Sequence, residues 1–303
     1  MHLVLGDPLD PLCVDVRDVL VARGSDTRII ASPLLGPVRF AWRLDNDASV
    51  SRLVLEDGLE LRGEDISGVF IGGIAPIDPR GWESADLMYM HSEVHAALLA
   101  WLSALECAVV NRFDASTWYR PNPPLLSWHG RLARAGLPTT DVVVTNVADE
   151  ARAFARRGSS TGVDAAVFGP LTSDGRYLVS SAEDWRGLRS LQQKMPVALT
   201  RPHGGPQFAC VVGARVVWEG AAMPEVRQFE PALRAFAADT GLSLVEVIFA
   251  PVSGRMSVIG VDPRPRLDHF SEAGRTLIVE AIADLLTEDA RLALSERDSA
   301  AVG

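Results

Sequence analysis

The chain has 303 residues, enough for two or three sub-domains, and its 48% hydrophobic and 22% charged content excludes disordered and collagen-like architectures. Its formal net charge of -10, from 39 acidic against 29 basic residues, opposes general attraction to nucleic acid or to anionic membranes. Cys13, Cys107 and Cys210 are widely spaced and form no C-x-x-C pair, which excludes a disulfide framework and a thiolate zinc site and fits a reducing cytosol. The opening MHLVLGDPLDPL lacks the basic-then-apolar pattern of a signal peptide. The most apolar helix-like run, 96–105, has half the length needed to span a bilayer. These features predict a cytoplasmic protein with neither nucleic-acid nor membrane partners. Lys194 is the one lysine; every other cation is arginine.

Residues 2–5 read as a buried strand, 12–23 as a helix stopped by Gly24, and 28–31 as a second strand. Apolar and polar residues alternate over 51–61 around Asp57-Gly58, a hairpin signal. A strand at 69–73 precedes a helix over 84–105, whose stripe of Leu87, Met90, Val94, Leu98, Trp101 and Leu105 falls on one face. A strand at 108–111 follows. Strand and helix alternating in this way predict an α/β domain.

Pro121, Pro123 and Pro124 then force an extended connector. A helix over 125–135 closes at Gly136, and strands follow at 142–145, 165–169 and 176–180. The last two are joined through Ser173-Asp174-Gly175. Helices are expected at 149–156 and 182–192. The final block opens with a strand at 197–200 and a hairpin, 208–212 and 215–218, turning at Gly213. A helix over 231–238, strands at 244–249 and 256–261, and a helix N-capped by Ser271 and running to about Leu286 complete it. Beyond Glu288 the polar, alanine-rich chain predicts fraying.

Four stretches resemble the ATP-grasp superfamily, in the branches that tailor ribosomal peptides (microviridin-type macrocycle ligases) and glutamylate ribosomal proteins. They are Glu93-Val94-His95-Ala96-Ala97-Leu98 leading to Val109-Val110-Asn111; Asn122-Pro123-Pro124-Leu125 leading to Ala135-Gly136-Leu137-Pro138 and Val144-Thr145-Asn146; 211–217; and 258–265. Their shared order along the chain is more specific than any one of them. The resemblance implies an α/β and α+β fold. Its parts would be an N-terminal α/β pre-ATP-grasp-like domain over 1–112, a small central lobe over 120–195, a C-terminal antiparallel-sheet lobe over 196–290, and a frayed tail over 291–303.

The resemblance also implies where ATP and magnesium would be held, and there this chain departs from the pattern. One family lysine falls on Pro123 or Leu125 and the other on Gly169. The acidic position on the penultimate strand falls on Val247, with Glu246 one residue away. The Glu-Val-Asn triplet of the last strand reads Gly260-Val261-Asp262. The arginine that stabilises the acyl-phosphate corresponds to Phe208. Asp262 and Glu246 are the candidate metal ligands, because magnesium prefers hard oxygen donors.

Arg201 and His203, in the glycine-containing loop 201–205, and Arg264 and Arg266, in the polar stretch 262–269 after a buried strand, are the candidate ligand-binding residues. Ser173-Asp174-Gly175-Arg176 reads either as a phosphate-covering loop or as a plain turn. His91 and His95 sit one helical turn apart, but Ser92 stands where an H-E-x-x-H zinc motif needs glutamate, so ordinary helix histidines are expected. Trp118, Tyr119 and Trp128 read as packing residues.

Two readings stay open. One is a protein of this lineage, in peptide or natural-product tailoring, whose site binds, assists or does other chemistry without ATP. The other is an ATP-dependent carboxylate–amine ligase that proceeds through an acyl-phosphate, with its nucleotide contacts rebuilt from arginine. ATP and magnesium are cofactors only in the second. The partner is a peptide or small molecule in both, and a homodimer is compatible with either.

Overall fold

The structure is a computed structural model that describes all residues except 35–37, 45–48, 74–79, 120–122, 158–164, 170–176, 193–195, 201–204, 253–254 and 302–303; the side chains of 189–192, 197 and 288–301 are also left undescribed. The chain divides into two compact units, one made of 1–118, 242–244 and 275–303, the other of 119–241 and 245–274.

The first unit opens with β1 (His2–Leu5), α1 (Pro11–Ala22) and β2 (Thr27–Ile30). A meander of β3 (Arg39–Leu44), β4 (Ser49–Val54) and β5 (Glu60–Arg62) follows, then β6 (Gly68–Ile71), α2 (Ser84–Ala104), β7 (Ala108–Val110) and α3 (Ala115–Tyr119). β2, β1, β6 and β7 form a parallel sheet in that order. Parallel neighbours need crossovers, which α1 and α2 supply. β1 and β6 are buried at every residue, as expected of interior parallel strands that read as continuous apolar runs.

The Asp57-Gly58 hairpin forms as the sequence predicts, with Gly58 at φ 84 between β4 and β5. Strand β3 was not predicted. All six of its residues are exposed or half-exposed; Phe40, Trp42 and Leu44 alternate with Arg39, Ala41 and Arg43, a period-two signal the sequence reading passed over, and pairing with β4 defines the strand. Asn111, from one of the resemblance stretches, is buried. Its Oδ1 accepts from Leu244 N–H at 2.6 Å and from Ser243 Oγ at 3.1 Å, and its Nδ2 donates to Leu244 O at 2.6 Å.

The second unit holds α4 (Leu125–Arg134), β8 (Val142–Thr145), α5 (Ala148–Arg156), β9 (Ala166–Gly169), β10 (Tyr177–Val179), α6 (Ala182–Gln192) and β11 (Val197–Thr200). Then come β12 (Gln207–Val212), β13 (Arg215–Trp218), α7 (Pro224–Arg227), α8 (Glu230–Thr240), β14 (Leu244–Val252) and β15 (Arg255–Asp262). The final helix, α9 (Glu272–Ala301), begins here, and from Arg275 onward it belongs to the first unit. One antiparallel sheet is ordered β10-β9-β11-β8 and the other β13-β12-β14-β15.

The small sheet packs on α5 and α6 through Phe154, Ala166, Trp185, Leu188 and Leu199. Gly136 (φ 80) and Gly213 (φ 56) take the left-handed turns predicted for them. Helix α9 continues through Ala301, whereas the sequence predicts helix only to about Leu286; alanine, leucine and arginine are strong helix formers even on a polar tail.

Candidate functional site

The β12–β15 sheet gathers polar residues that are far apart in sequence. β14 and β15 pair antiparallel, with Glu246 opposite Asp262, Val247 opposite Val261 and Ile248 opposite Gly260. The register then shifts, so that Phe249 faces Val258 and Ile259 is the extra residue of a bulge. Directly opposed residues point to one face, so Glu246 and Asp262 share theirs. Val247, where the resemblance put the acidic residue, alternates to the other face and is fully buried. Glu246 is therefore the carboxylate positioned beside Asp262.

Each carboxylate has a local partner. Asp262 Oδ1 accepts from Arg264 N–H at 2.8 Å. Burial lowers the pKa of the Arg264 guanidinium, and the Asp262 charge opposes that shift. Glu246 is 2% exposed, and its Oε1 lies 3.0 Å from His269 Nδ1. On β12, Cys210 is fully buried. Desolvation foremost, then the negative charges of Glu246 and Asp262, hold its thiol well above the ordinary value, so it stays neutral.

His269 was missed as a site residue, although it closes the polar stretch 262–269 that drew attention to Arg264. A turn presents it: Leu267 takes φ 61, and Phe270 N–H donates to Leu267 O at 3.0 Å. A left-handed leucine costs ~1–2 kcal/mol, which burial of Leu267 and Phe270 offsets. The His269 ring then stacks on Phe208, with centroids 4.3 Å apart and planes 7° from parallel.

Of the other candidates, Arg266 is exposed. Arg201, His203 and the 173–176 loop lie outside the described residues. His91 and His95 stack with centroids 4.0 Å apart, and His95 Nδ1 accepts from Trp118 Nε1 at 2.9 Å. Trp118 and Trp128 are buried as predicted, while Tyr119 is exposed.

Glu246 and Asp262 supply the hard oxygen donors that a divalent ion prefers. Among the described residues no group of three or more His, Cys, Asp or Glu side chains could hold a metal, so such an ion would need further oxygens from its ligand. None of the residues of β8–β11 is charged, so a cation for a triphosphate would have to come from other elements, and Arg264 beside Asp262 is one such group.

This succession of elements and sheets defines the ATP-grasp fold, and solved structures agree. The macrocyclase MdnC from Microcystis aeruginosa MRC, bound with precursor peptide MdnA, superposes with a TM-score of 0.75 at 15% identity, covering 95% of this chain and 99% of that one. The Chryseobacterium gregarium RiPP-associated ATP-grasp ligase, in complex with ADP and a leader and core peptide, gives 0.73 at 14% identity over 95% and 96%. The ATP-grasp ligase PsnB with precursor peptide PsnA2 and AMPPNP gives 0.73 at 18% identity over 96% and 98%. No family profile and no curated protein matches the chain. Among the described residues, no helix is long and apolar enough to cross a membrane.

Proposed function

We propose that this chain is an ATP-grasp-fold protein of the carboxylate–amine ligase lineage that acts in peptide or natural-product tailoring, with a divergent site that handles its substrate without ATP. One observation carries the reading: Phe208 stacks on His269, which in turn engages Glu246. The resemblance expects a cation at position 208 to neutralise phosphate charge, and the aromatic ring found there supports a site that works otherwise. The peptide as substrate class is supported by solved structures of this fold that contain precursor peptides.

The three-part division at 1–112, 120–195 and 196–290, with the tail beyond, belongs to this proposal. So do a cytoplasmic location, consistent with three free cysteines, a homodimeric state and the lack of a nucleic-acid partner.

Thermal unfolding with and without millimolar Mg-ATP tests it. The expected result is no shift in Tm. A ligand at ~100 times its Kd adds ~2.7 kcal/mol; a shift of that order, abolished by Arg264→Ala or Asp262→Asn, would establish the active-ligase reading instead. That second reading draws its support from Glu246 and Asp262 sharing one sheet face beside Arg264.

A further inference from the structure

We propose that the β3–β5 meander docks an acidic peptide segment of a partner protein, which adds as one more strand along β3 and sets its carboxylates against an arginine face. The surface is built from first-unit residues only, so it stands independently of the reading above. β4 lies between β3 and β5. Among the described residues β3 pairs with β4 alone, which leaves its other edge open. Every second residue of an edge strand turns its N–H and C=O outward, and such a row is a template for a further strand.

The side chains define what that strand should carry. Register places Arg39 opposite Val54, Ala41 opposite Arg52 and Arg43 opposite Val50, and Arg52 is in turn opposite Arg62. Directly opposed residues share a face, so Arg39, Arg43, Arg52 and Arg62 lie on one face, and all four are exposed. Glu60 engages Arg52 at 2.6 Å and Glu64 engages Arg62 at 3.5 Å. Arg39 and Arg43 stand on β3 itself, next to the open edge. The opposite face of β3 is apolar: Phe40 meets Trp101 of α2 edge-on with ring centroids 5.6 Å apart, Trp42 is half-buried, and Leu44 is 61% exposed.

Successive side chains of a strand alternate between faces. A strand laid along β3 in either direction therefore puts residues four positions apart beside Arg39 and Arg43, one residue between them beside Ala41, and the rest beside Phe40, Trp42 and Leu44. The matching pattern is acidic–apolar–any–apolar–acidic. Charge selects this occupant over the others. Charges that only keep an edge soluble can have either sign, yet here four arginines gather on one face of a protein whose net charge is -10. A second copy pairing antiparallel about Ala41 would oppose Arg39 to Arg43, and like charges across a ladder repel. A nucleic acid would meet the negative charge of the whole chain and leave the β3 backbone unused.

Fluorescence anisotropy of the full chain with a labelled peptide, Glu-Val-Thr-Val-Glu-Val blocked at both ends, tests the proposal. Binding should saturate below millimolar protein and weaken as salt rises; absence of binding overturns the proposal. The lysine analogue, Lys-Val-Thr-Val-Lys-Val, should bind at least fivefold more weakly, and equal binding overturns the charge assignment. N-methylation of the peptide amides at alternate positions tests strand addition. One alternating set should abolish binding and the other leave it intact, whereas equal effects would exclude a strand. Changing both Arg39→Gln and Arg43→Gln should weaken the acidic peptide at least fivefold. Changing both Arg39→Glu and Arg43→Glu should reverse the preference, so that the lysine peptide binds better, a gain that a merely misfolded variant would not show. Failure to reverse overturns the role of the arginines. Displacement of the peptide by oligouridylate at lower concentration than by unlabelled peptide would assign the face to nucleic acid. Dimers that sediment as such until Arg39→Glu is introduced would assign it to a second copy.

Discussion

Glu246 stands directly across the β14–β15 ladder from Asp262, and a single extra residue puts it there. Without the bulge at Ile259, the register of the hairpin's closing end, where Phe249 faces Val258 and Val252 faces Arg255, would set Val245 opposite Asp262. Glu246 would then point to the other side of the sheet. One inserted residue therefore decides whether this face carries one carboxylate or two.

Asp262 holds Arg264 both by charge and through the backbone hydrogen bond. Asp262→Ala should cost about 1–3 kcal/mol, because the acceptor is lost and a largely desolvated guanidinium loses its counter-charge. Asp262→Asn keeps an acceptor for Arg264 N–H and should fall between wild type and alanine. Urea unfolding of the three proteins checks the order; an asparagine variant as unstable as the alanine one would contradict it.

Arg112 closes the C-terminal end of α2. Its Nη1 donates to Leu102 O at 2.6 Å and Ser103 O at 3.2 Å, and its Nη2 to Leu105 O at 3.0 Å and Cys107 O at 2.8 Å. A guanidinium here satisfies carbonyls that no helical N–H can reach and complements the negative end of the helix dipole. Arg112→Ala should destabilise by about 1.5–3 kcal/mol, seen as a lower denaturation midpoint at unchanged m-value. Arg112→Lys should recover only part, since an ammonium lacks the planar fork.

Gly6 and Gly72 make room for the Cys13 sulfur. A Cβ added at Gly6 would lie 2.5 Å from Cys13 Sγ, and one at Gly72 would clash with the same atom. Gly6→Ala and Gly72→Ala should each cost about 1–3 kcal/mol by overpacking. Cys13→Ala should relieve much of either loss, a coupling that a double-mutant cycle measures. The thiol itself is inert: burial, with smaller contributions from Asp10 and Asp7, pushes it up to about 12. Iodoacetamide at neutral pH should therefore spare Cys13 until the protein unfolds.

His2 makes stability depend on acid. Burial foremost lowers its pKa below the usual 6.5, against the opposing contact of Nε2 with Leu286 O at 3.3 Å. The unfolded chain thus binds this proton at a higher pH than the folded one. The His2 contribution is complete above about pH 6.5 and is lost as pH falls from there through the lower folded value. Tm measured between pH 7 and pH 5 should drop, and His2→Gln should flatten that slope. An unchanged slope would assign the acid sensitivity to other groups.

Three histidines and two arginines illustrate what sequence could and could not reveal. His91 and His95 were legible as helix neighbours because a spacing of four is one helical turn, and the structure stacks them. His269 gave no such local sign: its partners, Glu246 and Phe208, lie 23 and 61 positions upstream. Arg264 stood out in a polar stretch, whereas Arg112 looked like any surface cation until the end of α2 folded around it.

The sequence by itself determined the order of most helices and strands, though not β3, α3 or α7, together with the turns at Gly58, Gly136 and Gly213 and the likeness to ATP-grasp proteins, because periodicity and turn chemistry act between residues only a few positions apart. The tertiary structure alone decided the partners of Glu246, Asp262, Phe208 and His269. Cross-strand register, a one-residue bulge and a left-handed turn at Leu267 set which side chains meet, and those depend on pairing between distant segments that no local pattern records.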